Sequence, residues 1–288
     1  MTMQHVASLR YEVIFKKAFC DVEIFKAFVK DFIGIDLKID KVETEKKFEN
    51  PIGNVDSRFD LYAEDLENRV IVDIQHRRYD DHYDRFLHYH CAALLQQVES
   101  AANYAPQLTV FTIVVSTSGT KEDVAIAEIN FDPVDYFTKR ALNKIQHRVL
   151  YLSPKHVNAE TPEPYQEWLK VIQDSLDEQI DESIYHKQAV LKIVNLIKRD
   201  GLTPQDRARM KDEYAEAQLR VKEKLEEREI GIEIGVEKGI GIGVEKGIEI
   251  GVEKGKLETA KNLFAQGLSV ELIEKSTGIA RELFTKME

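Results

Sequence analysis

Two aspartates and a glutamine, Asp60, Asp73 and Gln75, stand at a spacing that a pair of antiparallel strands would bring together. They lie in DSRFDLYAEDLENRVIVDIQHRR, residues 56–78, where two runs of alternating character flank the polar turn AEDLEN. That pattern reads as a β-hairpin. In the first run Phe59, Leu61 and Ala63 share one face, and Arg58, Asp60 and Tyr62 the other. In the second, Val70, Val72 and Ile74 share one face, and Ile71, Asp73 and Gln75 the other. Side chains alternate with period two, so matching like faces about a turn between Leu66 and Glu67 sets Asp60 directly across from Asp73, with Gln75 opposite Arg58. Two carboxylates so placed repel and weaken the hairpin unless a cation lies between them. The chemistry this suggests is oxygen ligation of a divalent ion. The same alternation also suits a solvated face of a half-buried sheet.

The chain that must position these residues has 288 residues, enough for one large domain or a domain with an appendage. Its 43% hydrophobic content supports a real core, and the 32% charged fraction is too often interrupted by apolar runs for a disordered chain. A net charge of −11 argues against a non-specific nucleic-acid coat, so any nucleic-acid contact should be local and aided by a divalent cation. Cys20 and Cys91 lack metal-ligand spacing and read as buried thiols in a reducing compartment. With no signal peptide, lipidation motif or long apolar stretch, a cytoplasmic protein with no membrane contact is expected.

Residues 8–34 read as a helical region ended by Gly34, and 38–49 alternate partly, as a strand would. After the hairpin, residues 79–105 carry a helical pattern closed by Pro106. LTVFTIVVS, 108–116, has the continuous β-branched character of a central buried strand, and shorter strands are expected at 124–131 and 147–153. From about Pro162 the pattern is helical. One helix surrounds Trp168, another covers 183–199, and a third starts at Thr203 or Pro204. This order predicts an α/β core followed by a mainly helical half.

Residues 229–256 repeat, with Gly231, Gly235, Gly239, Gly243, Gly247, Gly251 and Gly255 four apart and Gly241 between. Ile, Val or Lys at every even position suits a strand, and glycine costs a helix about 0.8–1 kcal/mol each relative to Ala. A four-residue period also winds a small-residue stripe round a helix, where a second helix could approach. Strong helix formers on both sides favour the helix and, through it, self-association. The last residues, 257–288, read as two short helices about Gly267, with Ser269 at an N-cap position but Leu272 where a capping box needs Glu or Gln.

The hairpin motif RFD…VDIQ resembles the PD-(D/E)XK nuclease family transposases, also described as recombination-promoting (Rpn) nucleases. YEVIFKKAF supplies the acidic residue and Phe-Lys of that family's first helix in Glu12, Phe15 and Lys16. RFLHY matches its Arg and Tyr in Arg85 and Tyr89, and NYAPQLTVFTIVV its Tyr and following strand. The glycine-rich tail and GLSVELIEKSTGIARELF match its ending. The resemblance spans nearly the whole chain.

The resemblance implies a restriction-endonuclease-like core over about 1–155, a helical region over 156–228, the repeat and the small C-terminal element. It implies Mg²⁺, with Mn²⁺ or Ca²⁺ as substitutes, held by Asp60, Asp73, the main-chain carbonyl of Ile74 and Glu12. Gln75 then occupies the place of the motif's lysine and orients water without supplying charge. Asp73 stands where the family usually has glutamate. The implied activity is Mg²⁺-dependent DNA endonuclease cleavage associated with recombination or transposition, with Arg58, Arg77, Arg78, Arg85 and Tyr89 touching DNA. Arginines can clamp phosphate, or pair with nearby aspartates on a solvated helix. His76, His82, His88 and His90 lack a shared helical face, so no zinc site is expected there. The rival reading is a weak or inactive DNA- or partner-binding regulator that oligomerises through its repeat.

Overall fold

The structure, a computed structural model, describes residues 3–48, 58–76, 82–97, 104–120 and 122–285. The short strand β1 (Met3–His5) leads into α1 (Glu12–Phe19) and α2 (Val22–Ile33). The single helical region expected over 8–34 is therefore two helices. Asp21 separates them, because its carboxylate accepts from the N–H groups of Glu23 and Ile24 and starts α2 afresh. Gly34 closes α2 at φ 85°, a left-handed conformation that favours glycine.

The strands β2 (Glu43–Lys47), β3 (Arg58–Glu64) and β4 (Asn68–Gln75) precede α3 (His82–Leu95). Next come β5 (Thr109–Ser116), β6 (Ile126–Asn130) and β7 (Arg148–Leu152). They form one mixed sheet in the order β2-β3-β4-β5-β7-β6. β3 and β4 are the antiparallel hairpin, β4, β5 and β7 run parallel, and β6 closes the far edge antiparallel. The hairpin register pairs Leu61 with Val72 and Glu64 with Arg69, as the alternation predicts. Its turn is fixed by Asp65, whose carboxylate accepts from the N–H groups of Glu67 and Asn68.

Both faces of the sheet are covered, which is why β5 is buried from Val110 to Ser116 and mostly apolar. Phe15, Phe19, Phe25 and Phe28 of α1 and α2 pack on Leu61, Val72, Ile113 and Leu150. On the other face Phe86, Tyr89 and Ala93 of α3 pack on Tyr62, Ile71, Val114 and Tyr151. Cys20 and Cys91, expected to be buried, are half-buried free thiols.

Beyond the sheet lie α4 (Tyr165–Ser175), β8 (Gln179–Asp181), α5 (Gln188–Leu196) and α6 (Pro204–Ala265). β8 pairs with β1, a two-stranded sheet that the sequence pattern did not suggest. Trp168 is fully buried in the first core and donates its indole N–H to Asp31 at 2.7 Å. A first compact unit spans Met1–Tyr214, so the boundary expected at 155 falls inside it.

The second unit, Ala215–Glu288, holds most of α6, then α7 (Val270–Thr277) and α8 (Arg281–Phe284). The repeat is helical throughout and continuous with its neighbours, giving a helix of 62 residues. The first of the two short terminal helices is the end of α6, and Ala260, Ile273 and Phe284 make a small core there. Among the described residues no helix is long and apolar enough to cross a membrane.

Candidate active site

The backbone ladder between β3 and β4 gives way to side chains at Asp60. The N–H of Asp60 donates to Oδ1 of Asp73 at 3.4 Å, and the N–H of Ile74 donates to Oδ2 of Asp60 at 2.9 Å. Each aspartate thus holds the opposite strand. The β3–β4 ladder runs only from Leu61 to Glu64, and on the neighbouring strand Glu45 has φ 58°. One consequence corrects the alternation. Phe59, expected beside Leu61 and Ala63, instead joins the α3 face, 5.9 Å edge-to-face from Tyr89 and 5.2 Å from Phe48.

Asp73 is only 3% exposed, and its Oδ2 is buried with no hydrogen-bond partner among the described residues. An unpartnered buried carboxylate oxygen is unfavourable. Burial, then the charge of Asp60, pushes the Asp73 carboxyl well above the usual carboxylate range. Burial, then the charge of Glu12, pushes Asp60 up to about 6, against the opposing pull of the Ile74 N–H and Lys16. Two carboxyl groups in one dry environment resist being ionised together.

The cation already beside them is Lys16, which the sequence reading placed in a motif without giving it a role. Its Nζ bonds the carboxylates of Glu12 and Glu45 and lies 3.4 Å from Oδ1 of Asp60. The four-residue step from Glu12 to Lys16 was the available signal. Nothing in the pattern pointed to Glu45, which meets α1 only through the fold. Two contacts fix α1 in place. Glu213 accepts from the N–H groups of Glu12 and Val13 at 2.8 and 3.1 Å, and Lys17 pairs with Asp206. A carboxylate at a helix N-terminus satisfies free N–H groups and meets the positive end of the dipole.

The other expected residues divide. Glu12 is at the site, held by Lys16. Ile74 meets Asp60 through its N–H. Gln75 ends β4, and no hydrogen bond ties its side chain to either carboxylate. Arg58 pairs with Glu45. Arg85 is near enough for its charge to lower the Asp73 carboxyl, and its Nε donates to the Tyr89 hydroxyl at 3.3 Å. Tyr89 is buried, its ring packed between Phe59 and Phe86. Arg77 and Arg78 lie outside the described residues.

Among the described residues, no group of three or more His, Cys, Asp or Glu side chains is arranged to hold a metal. Mg²⁺ does not need one, since it is commonly held by one or two carboxylates with waters and substrate phosphate oxygens. The orphaned Oδ2 of Asp73 and the raised Asp60 carboxyl fit a hard dication that would compensate both. No family model, no curated protein and no solved structure matches this chain.

Proposed function

We propose that the protein is a metal-dependent endonuclease that hydrolyses DNA phosphodiester bonds, on a restriction-endonuclease-like core and in a context of recombination or transposition. The observation that carries this reading is the pair of cross-bonded, buried carboxylates, Asp60 and Asp73, with one oxygen left unpartnered. In this reading Asp60 and Asp73 hold Mg²⁺, with Glu12 and the Ile74 carbonyl beside them. When bound, the ion lowers the pKa of a coordinated water and offsets charge on the phosphate. Lys16 balances the acidic cluster and Arg85 stands on the Asp73 side of it. Gln75 is assigned to orienting the attacking water. The test is plasmid nicking by wild type and Asp73→Ala with Mg²⁺, Mn²⁺, Ca²⁺ and chelator. Equal cleavage by the two proteins would remove Asp73 from the mechanism.

A second reading has its own support. Lys16 already neutralises part of the cluster, and Asp73 is one methylene shorter than the glutamate usual in the family it resembles. A weak or inactive protein that binds DNA or a partner and assembles through α6 is consistent with both. Isolated glycine-rich helices are marginal in water. Yet α6 exposes Ile232, Ile240, Val244, Ile248 and Val252 along its repeat. In this reading a second copy of the chain covers them.

A further inference from the structure

The β6–β7 connection, residues 131–147, carries Tyr136 and Phe137 with 77% and 89% of their surface exposed, and Val134, Leu142 and Ile145 are exposed beside them. Single exposed apolar residues need no explanation. A cluster of them on one tip does.

The tip is held in one shape. Asp132 accepts from the N–H groups of Asn143, Lys144 and Ile145 at 2.7, 2.6 and 3.0 Å. Asp135 accepts from the N–H groups of Phe137 and Thr138 at 3.0 and 2.6 Å and from the Thr138 hydroxyl at 2.8 Å. Val134 and Ala141 bridge antiparallel across it. Lys139 and Asn143 adopt φ 59° and 54°, left-handed conformations common for Asn and uncommon for Lys.

The tip carries Lys139, Arg140 and Lys144 against Asp132 and Asp135. Both acids turn onto main-chain N–H groups, and these hold their carboxyls below the usual range, the Ile145 N–H first for Asp132 and the Thr138 N–H first for Asp135. Lys139, Arg140 and Lys144 are exposed and form no ion pair with a described residue. The Lys139 ammonium lies 4.8 Å from the centre of the Tyr136 ring. In a chain of net charge −11, cations outnumber acids on this tip, and its two acids are turned onto main-chain N–H groups while its three cations are exposed. Flat apolar rings interleaved with unpaired cations complement a polyanion that carries stackable groups.

We propose that the β6–β7 tip is a nucleic-acid contact in which Tyr136 and Phe137 stack on bases while Lys139, Arg140 and Lys144 meet phosphates. It is separate from the carboxylates. β7 runs parallel to β4 and β5, with Arg148 level with Phe111 and Phe111 level with Val70, so the tip leaves the sheet at the end opposite Gln75. The proposal shares only its polymer with the nuclease reading, and binding at the tip needs no divalent cation.

The test uses the full chain in chelator, with fluorescein-labelled single-stranded and duplex oligonucleotides of one sequence, read by anisotropy over a salt series. Tyr136→Ala/Phe137→Ala should weaken binding by roughly tenfold or more. Lys139→Gln/Arg140→Gln/Lys144→Gln should lower the slope of log affinity against log salt by about 2–3. Stronger loss on the single strand would identify stacking on unpaired bases, and stronger loss on the duplex a wedge between base steps. The exposed positions should leave the thermal melt unchanged, and should either variant fail to fold, the other decides. Wild-type affinity in both tip variants would overturn the proposal, as would no binding by wild type. So would smaller assemblies in the variants with DNA binding unmoved, which would make the tip a contact between copies. Cleavage with Mg²⁺ but no binding in chelator sinks the tip and leaves the nuclease. Tip-dependent binding without cleavage does the reverse.

Discussion

Asp60 and Asp73 are joined by side-chain hydrogen bonds where the hairpin's own ladder stops, the N–H of Asp60 on Asp73 and the N–H after Asp73 on Asp60. The strands are thereby locked at the point where two carboxyl groups share one buried environment that opposes ionising both. Function-bearing strain of this kind lowers stability.

Asp73→Asn should therefore separate the two quantities. The amide keeps an oxygen for the Asp60 N–H and removes the ionisation that burial and Asp60 oppose. Thermal stability in chelator should rise by about 1–2 kcal/mol, or a few degrees in Tm, while Mg²⁺-dependent nicking falls by at least about 10²-fold. A melt in chelator and a nicking assay on the same preparation check both. A lower Tm would mean that the carboxylate is structural.

Divalent ions should stabilise the native chain by linkage. At a concentration about 100 times its Kd, a ligand specific to the folded state adds about 2.7 kcal/mol. Differential scanning fluorimetry with Mg²⁺ or Mn²⁺ should show an upward shift in wild type that is absent in Asp60→Asn and Asp73→Asn. An equal shift in all three would place the ion elsewhere.

Lys16→Met tests the resident cation. Glu12 and Glu45 are partly exposed, so the loss in chelator is discounted to about 1–2 kcal/mol. Mn²⁺ should bind the variant more tightly, because it no longer competes with the ammonium. Isothermal titration measures this, and unchanged affinity would show that Lys16 does not share the ion's place.

Acid should weaken the fold through His90. This ring is buried, stacks 5.0 Å from Phe131, and has Nδ1 2.9 Å from the Thr112 hydroxyl. Burial, then His147, depresses it to about 3 from 6.5. A depressed folded-state value means that the unfolded chain takes up the proton first. Its contribution is complete above about 6.5 and is lost as pH falls towards 3, an effect of a few kcal/mol. His90→Phe should flatten that part of the stability–pH profile measured by urea melts.

Much of this was legible beforehand. Period-two alternation and the polar turn located the hairpin and its register, and the β-branched run located β5. β1 and β8 were not legible, since three-residue strands leave no pattern and their partners lie far apart in the chain. The aspartate pair could be found because it is local to one hairpin. The Lys16–Glu45 contact and the burial of Tyr89 could not, because both arise when α1, β2 and α3 meet over the sheet.

The repeat offers a further check. At Gly239, Gly243 and Gly247 an added methyl would meet nothing within 4 Å in the single chain. Alanine there should raise helicity, by about 0.8–1 kcal/mol per site. If copies of the chain pack along the stripe, light scattering should show smaller assemblies in the same variant. Higher helicity with unchanged assembly would put the self-contact elsewhere.

The carboxylate of Glu213 sets a minimum length on any fragment meant to reproduce the site. A piece cut at 155 would keep Asp60 and Asp73 but forfeit the anchor that seats the helix bearing Glu12 and Lys16, together with the β8 strand that pairs with β1. Shortened versions ending before Glu213 should be judged as altered proteins, and their silence in a cleavage assay would say nothing about the intact one.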